Sequence, residues 1–260
     1  MMDVTVVAAD LRDEQDALDV VVAGLTDDQW RAATPSPGWT VSDQIGHLTY
    51  FDGTAALAIA DADAFKASLA ELLSSGDGME EKTLHRHLAP DELLAAWRTN
   101  RGLLAERAAG LSDGDRVPWY GPSMGAKSFL TARLMETWAH GQDVVDAVGG
   151  ERPATDRLRH IAQLGFITRG WTYVNRGIEA PAGDVLLHLT GPGGDAWRFG
   201  ADDAADVVRG PALDFCLVVT QRRHVNDTAL EITGDVARDW LDKAQVFAGP
   251  PTDGPRPGSG

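Results

Sequence analysis

Residues 128–148 read SFLTARLMETWAHGQDVVDAV. Apolar residues recur there at three- and four-residue spacing, which predicts one long amphipathic helix. Arg133, Glu136, His140 and Asp143 share the same spacing. At about 100° per residue they form one continuous row, with Glu136 and His140 as neighbours on one face. Such a row is most often a solvated face with an i,i+4 pair. Four residues beyond its two ends stand Phe129 and Ala147, both apolar. A polar row with apolar ends fits a site turned toward the inside of a helical bundle.

Three further segments supply the rest of that bundle. Val4, Val7, Leu11, Leu18, Val22 and Leu25 mark a first helix that ends near Gly24. Thr26-Asp27-Asp28-Gln29 reads as a capping box for a short helix carrying Trp30. Pro35-Ser36-Pro37-Gly38 breaks the chain, and Thr40-Val41-Ser42-Asp43 opens a second long helix with Val41, Ile45, Leu48, Ala55 and Ile59 inward. Residues 64–89 are an excursion: a short helix, then a loop at Ser74-Ser75-Gly76-Asp77-Gly78. Asp91 is placed as the cap of a third long helix with Leu94, Trp97, Leu104 and Ala108 inward. Four long helices predict a four-helix bundle over residues 1–150.

Past Gly149-Gly150-Glu151-Arg152-Pro153 the pattern changes, which places a domain boundary there. Residues 155–175 read as helical, 184–190 and 196–200 as strands joined by the Gly191-Pro-Gly-Gly-Asp195 turn, 211–222 as a helix, 228–233 as a strand and 235–247 as a final helix. The expected fold class is α+β: the bundle, then a small α+β domain over 151–248, with residues 249–260 as a disordered tail.

Composition limits the function. The chain has 260 residues and a formal charge of −16, a poor match for nucleic acid or anionic membranes. No apolar run approaches the roughly 20 residues of a membrane span, and the N-terminus lacks a basic, apolar leader, so the sequence reads as cytoplasmic, a monomer or homodimer. Arginines outnumber lysines 19 to 4, a weak sign of a GC-rich genome. Cys216, the one cysteine, rules out a disulfide framework. It lies in an apolar run, so it reads as a buried, inert thiol, and any reactive sulfur must come from outside the chain.

A metal on Glu136 and His140 needs a third ligand. His47 lies beside the apolar stripe of the second long helix. It reads either as a boundary histidine bonded to a neighbour or as that ligand. Two His and one carboxylate with an open fourth position suit catalytic Zn²⁺. Arg133 and Asp143 would then orient ligands from behind.

Pro37-Gly38-Trp39-Thr40-Val41, Gly46-His47-Leu48 and the Arg133, Glu136, His140, Asp143 row together resemble the mycothiol-dependent maleylpyruvate isomerase family of the DinB-like metalloproteins. Val117-Pro-Trp-Tyr-Gly-Pro122 and residues 135–143 resemble an actinobacterial branch described only as metal-binding. Val208–Asp214, Arg222-Arg223 and Leu230–Asp235 resemble a sterol-carrier-protein-2-like domain. The resemblance implies Zn²⁺ or another divalent transition metal on His47, Glu136 and His140, with mycothiol as thiol cosubstrate. It implies an isomerase or transferase in which the thiolate adds to a substrate double bond and leaves after rotation. An anionic substrate would need a cation, and Arg222 and Arg223 are the candidates. Trp119, Tyr120 and Lys127 are candidates for the mouth, because their loop leads into the metal-bearing helix. Two other readings stand beside this one: a metal-dependent hydrolase, and a non-catalytic metal- and ligand-binding protein. His85 and His87 read as a surface pair, His188 as structural, and the Gly191 turn as a hairpin.

Overall fold

The protein is described here from a computed structural model, over residues 3–74 and 82–258. The chain divides into two compact units, Met1–Glu151 and Arg152–Gly260. It is a mixed α+β fold, helical in the first unit and sheet-bearing in the second. Among the described residues, no helix is long and apolar enough to cross a membrane.

In the first unit, α1 is Val4–Val22, α2 Asp27–Trp30, α3 Val41–Ala60, α4 Ala62–Ser74, α5 Pro90–Ala108 and α6 Ala126–Val148. The four long helices form a ring in which α1 packs on α5 and α6, and α3 packs on the same two. Leu18, Val22, Trp30, Val41, Ile45, Leu48, Leu93, Trp97 and Val144 make one shared core. A short ribbon, β1 (Arg116–Val117) with β2 (Met124–Gly125), leads into α6.

The local chemistry of α3 fixes where its site-bearing face starts. Thr40 Oγ1 accepts from the Asp43 amide, and Asp43 Oδ2 accepts from the Thr40 amide at 2.9 Å, a reciprocal cap. The other Asp43 oxygen receives Arg86 Nε at 2.7 Å, which ties residues 82–88 to this helix. Burial alone would raise the Asp43 carboxyl, but these partners hold it below its ordinary value. Gly46 makes the contact possible, since the Leu84 carbonyl oxygen lies 1.9 Å from where a Cβ would stand. The helix at Pro90 starts differently from its sequence reading. Ala89 is the N-cap and Glu92 reaches back to its amide, while Asp91 sits in the first turn. Proline at the first helical position fixes φ and has no N–H to cap. Leu93 is buried in the core, and Leu94 packs against it partly buried. The loop expected at residues 74–78 lies, past Ser74, outside the described residues.

In the second unit, α7 is Leu158–Ile167, α8 Arg169–Arg176, α9 Ala212–Val219 and α10 Asp235–Leu241. β3 (Val185–Thr190), β4 (Ala196–Phe199), β5 (Asp206–Pro211) and β6 (Glu231–Thr233) form one sheet in the order β4-β3-β5-β6. β3 pairs parallel with β5, and the two outer pairs are antiparallel. The helix expected over 211–222 stops at Val219, because Gln221 takes a left-handed φ of 59°. The helix expected to reach 247 stops at Leu241. Residues 249–258, expected to lack order, pack on this unit. Thr252 bonds Gln245 and Gln221, Asp253 pairs with Arg176, and the Gly258 amide bonds Asp227.

Candidate metal centre

α3 and α6 bring His47, Glu136 and His140 together. Glu136 Oε2 lies 3.1 Å from His140 Nε2 and 3.5 Å from His47 Nε2. One donor atom from each residue lies within 4.8 Å of the other two, and among the described residues no other such group of three occurs. Two ligands of a tetrahedral Zn²⁺, each bonded at about 2.0–2.1 Å, stand about 3.3 Å apart. The separations bracket that value. The Glu136 and His140 pair follows from the i,i+4 spacing of one helix; His47 arrives only through packing of α3 on α6.

The protonation of this cluster follows from its neighbours. Thr34 Oγ1 donates to the Trp39 carbonyl at 2.9 Å, so its lone pair accepts from Gln44 Nε2, also at 2.9 Å. Gln44 Oε1 therefore faces His140 Nδ1, at 2.5 Å, and that nitrogen must carry the proton. The other nitrogen, Nε2, lies within hydrogen-bond reach of Glu136 Oε2 at 3.1 Å. Burial first, then the charge of His140, pushes His47 down to about 4, so it is neutral at neutral pH. Burial would raise Glu136, but the hydrogen bonds and charge of His140 and His47 hold it well below the usual carboxylate range. A divalent transition metal would take the lone pair of His47, the Glu136 carboxylate and His140 Nε2, displacing any proton that Nε2 carries as it binds.

Arg133 and Asp143 are not at the ligand atoms. Arg133 is buried and gives Asp52 Oδ1 two bonds, at 2.9 and 3.3 Å. Asp52 Oδ2 receives Gln15 Nε2 and Trp97 Nε1 at 2.9 and 3.1 Å. One buried carboxylate thus joins α1, α3, α5 and α6 one turn beyond His47. Asp143 accepts from Ser36 Oγ at 3.1 Å, which ties down the loop that carries Trp39. Trp39 stacks on His140 with rings 12° apart and 5.9 Å between centroids, and tilts over His47 at 5.5 Å.

The mouth residues divide. Trp119 and Tyr120 reach the site through Phe51, whose ring is 4.4 Å from that of His47. Lys127 instead faces Asp113 at 3.5 Å. Arg222 and Arg223 belong to the second unit. They follow α9 and bond the Thr220 and Arg222 carbonyls. His85 and His87 have rings 5.9 Å apart and belong to no three-donor group. Cys216 is fully buried and burial pushes its thiol up, so it is not a nucleophile. Gln44, Asp52 and Trp39 were not assigned roles from sequence. Asp52 carried a signal, being a lone acid in the apolar run from Leu48 to Ala60.

Residues 11–145 match the family model for the mycothiol maleylpyruvate isomerase N-terminal domain. The chain belongs to this family. The matched span includes His47, Glu136 and His140. Crystal structures titled as the mycothiol-dependent maleylpyruvate isomerase and a mutant of it are similar in fold. They align with a TM-score of 0.57 at 17% and 16% identity, over 85% of this chain and 90% of theirs. This family member is also 46% identical, over 94% of its length and 95% of theirs, to proteins of two strains of Mycobacterium tuberculosis that are described as uncharacterised.

Proposed function

We propose that the protein is a metal-dependent enzyme that uses a small thiol, mycothiol, as cosubstrate to isomerise or transfer to a small electrophile. The observation that carries this reading is the convergence of His140 Nε2, His47 Nε2 and Glu136 Oε2, with the tautomer of His140 set by Gln44. Membership of the mycothiol maleylpyruvate isomerase family supports the thiol. Zn²⁺ or another divalent ion held there would keep a coordinated thiol ionised at neutral pH.

The chain's own residues supply the rest. His47 and Glu136 offer donors that need not lose a proton first. Gln44 aims His140, and Trp39 covers its ring. Arg133 is spent on Asp52, so its role is to hold α6 against α3 rather than to bind substrate. The inert Cys216 leaves an incoming cosubstrate as the source of sulfur.

Metal analysis of the wild type and His47→Ala, with calorimetric titration of mycothiol into each, tests the reading. One equivalent of metal and saturable thiol binding in the wild type, both lost in the variant, are expected. A wild type without stoichiometric metal refutes it. Metal without thiol binding refutes the thiol and leaves a hydrolase.

A further inference from the structure

A wall of aromatic rings runs away from the centre. The Phe51 ring lies 4.4 Å from His47, Tyr120 lies 5.3 Å from Phe51, and Trp119 lies 4.9 Å from Tyr120. Its back is anchored in the core. Trp119 stacks on the buried Phe65 with rings 6° apart, and the Tyr120 hydroxyl is bonded to Thr54 and Tyr50. Its front is not sealed: Phe51, Trp119 and Tyr120 are each only partly buried, although Phe65 behind them is 1% exposed.

Among the described residues, two cations of the metal-bearing helix are already paired. The Arg133 guanidinium lies 5.9 Å from the Phe51 centroid, but it is 3% exposed and bound to Asp52. Lys127, at the start of the same helix, pairs with Asp113. A carboxylate pressed on these rings would lose water without gaining a partner, a costly exchange. A flat apolar group would gain dispersion and ring–ring contact there.

We propose that Phe51, Tyr120 and Trp119 form a subsite beside the metal centre that takes the planar, apolar body of the electrophile or its thiol adduct, an aryl or conjugated group rather than a second carboxylate. The proposal rests on the metal-and-thiol reading above. It assigns these rings the choice of substrate.

Cobalt(II)-loaded protein tests it through absorption, without any turnover. Ligand-field bands report the metal, and a cobalt–thiolate band reports a bound thiol. Two probes are titrated, phenylmethanethiol and mercaptosuccinate. The wild type should bind phenylmethanethiol the more tightly. Phe51→Leu and Trp119→Leu should each weaken it about tenfold, the scale of one ring–ring contact, and shift mercaptosuccinate less than twofold. Trp119 stands two rings from the ligands, so it decides if Phe51→Leu loses cobalt. Tighter mercaptosuccinate binding, or equal losses for both probes, overturns the subsite while the metal and thiol stand. Cobalt bands with no thiolate band overturn the thiol and the subsite together. Absent cobalt bands overturn the metal centre and all that rests on it.

Discussion

Replacing Gly46 by alanine sets two effects against each other. Gly46 lies inside α3, where alanine is favoured over glycine by about 1 kcal/mol. The added Cβ, however, would stand 1.9 Å from the Leu84 carbonyl oxygen and 2.6 Å from its carbon. Real Cβ contacts essentially never fall below 3.0 Å, so backbone must move by more than an ångström. The Leu84 side chain is 1% exposed, and Arg86 two residues on is bound to Asp43. Overpacking of this kind costs about 1–3 kcal/mol, and unseating a buried leucine up to about 1.5–3 more. Set against the helix gain, the net loss is about 2–3 kcal/mol, a fall in melting temperature of about 5–10 °C for a unit of this size. Gly102, inside α5, is the control: a Cβ there meets nothing within 4 Å. Gly102→Ala should raise the melting temperature by about 2–4 °C. Differential scanning calorimetry of the two variants and the wild type reads both signs. If Gly46→Ala melts at or above the wild type, the close approach of residues 82–88 to α3 is wrong.

Three other outcomes follow from the same geometry. Gln44→Ala should weaken metal binding about 10–100-fold, by chelator competition, because His140 loses the partner that fixes its tautomer; unchanged affinity would remove Gln44 from the centre. In metal-free protein the unfolded chain protonates His47 near 6.5 and the folded one only at about 4. Acid therefore favours unfolding, and stability should fall by about 2–3 kcal/mol from pH 7.5 to 4.5 through this group, a slope that urea melts of His47→Asn should lack. Cys216 should resist a disulfide reagent in native protein and react at once in denaturant; fast labelling of folded protein would contradict its burial.

Much of the helical unit was legible because its signals are local. The capping boxes at Thr26 and Thr40 and the αL glycine at Gly149 are written within a few residues. Glu136 and His140 were legible for the same reason. His47 was ambiguous because its neighbours depend on how α3 packs, and the resemblance, not the periodicity, singled it out. Strand β5 went unread: Asp206–Pro211 holds a glycine and a proline and is too short to alternate clearly, and it exists because β3 and β6 flank it. Gln44 is a single amide with no pattern; only the chain of bonds through Thr34 gives it meaning.

The four-way junction at Asp52 bears on how the bundle chooses its register. Apolar helices can slide past one another by a turn and still bury most of the same surface. A carboxylate with partners on three other helices cannot follow, since each bond is directional and each broken one leaves a buried polar group. One turn of slip is about 5.4 Å, more than the 3.1 and 3.5 Å that separate the ligand atoms of Glu136 from His140 and His47. The junction thus converts a continuous sliding coordinate into one allowed setting, and a centre assembled from two helices inherits its precision from a group that never touches it.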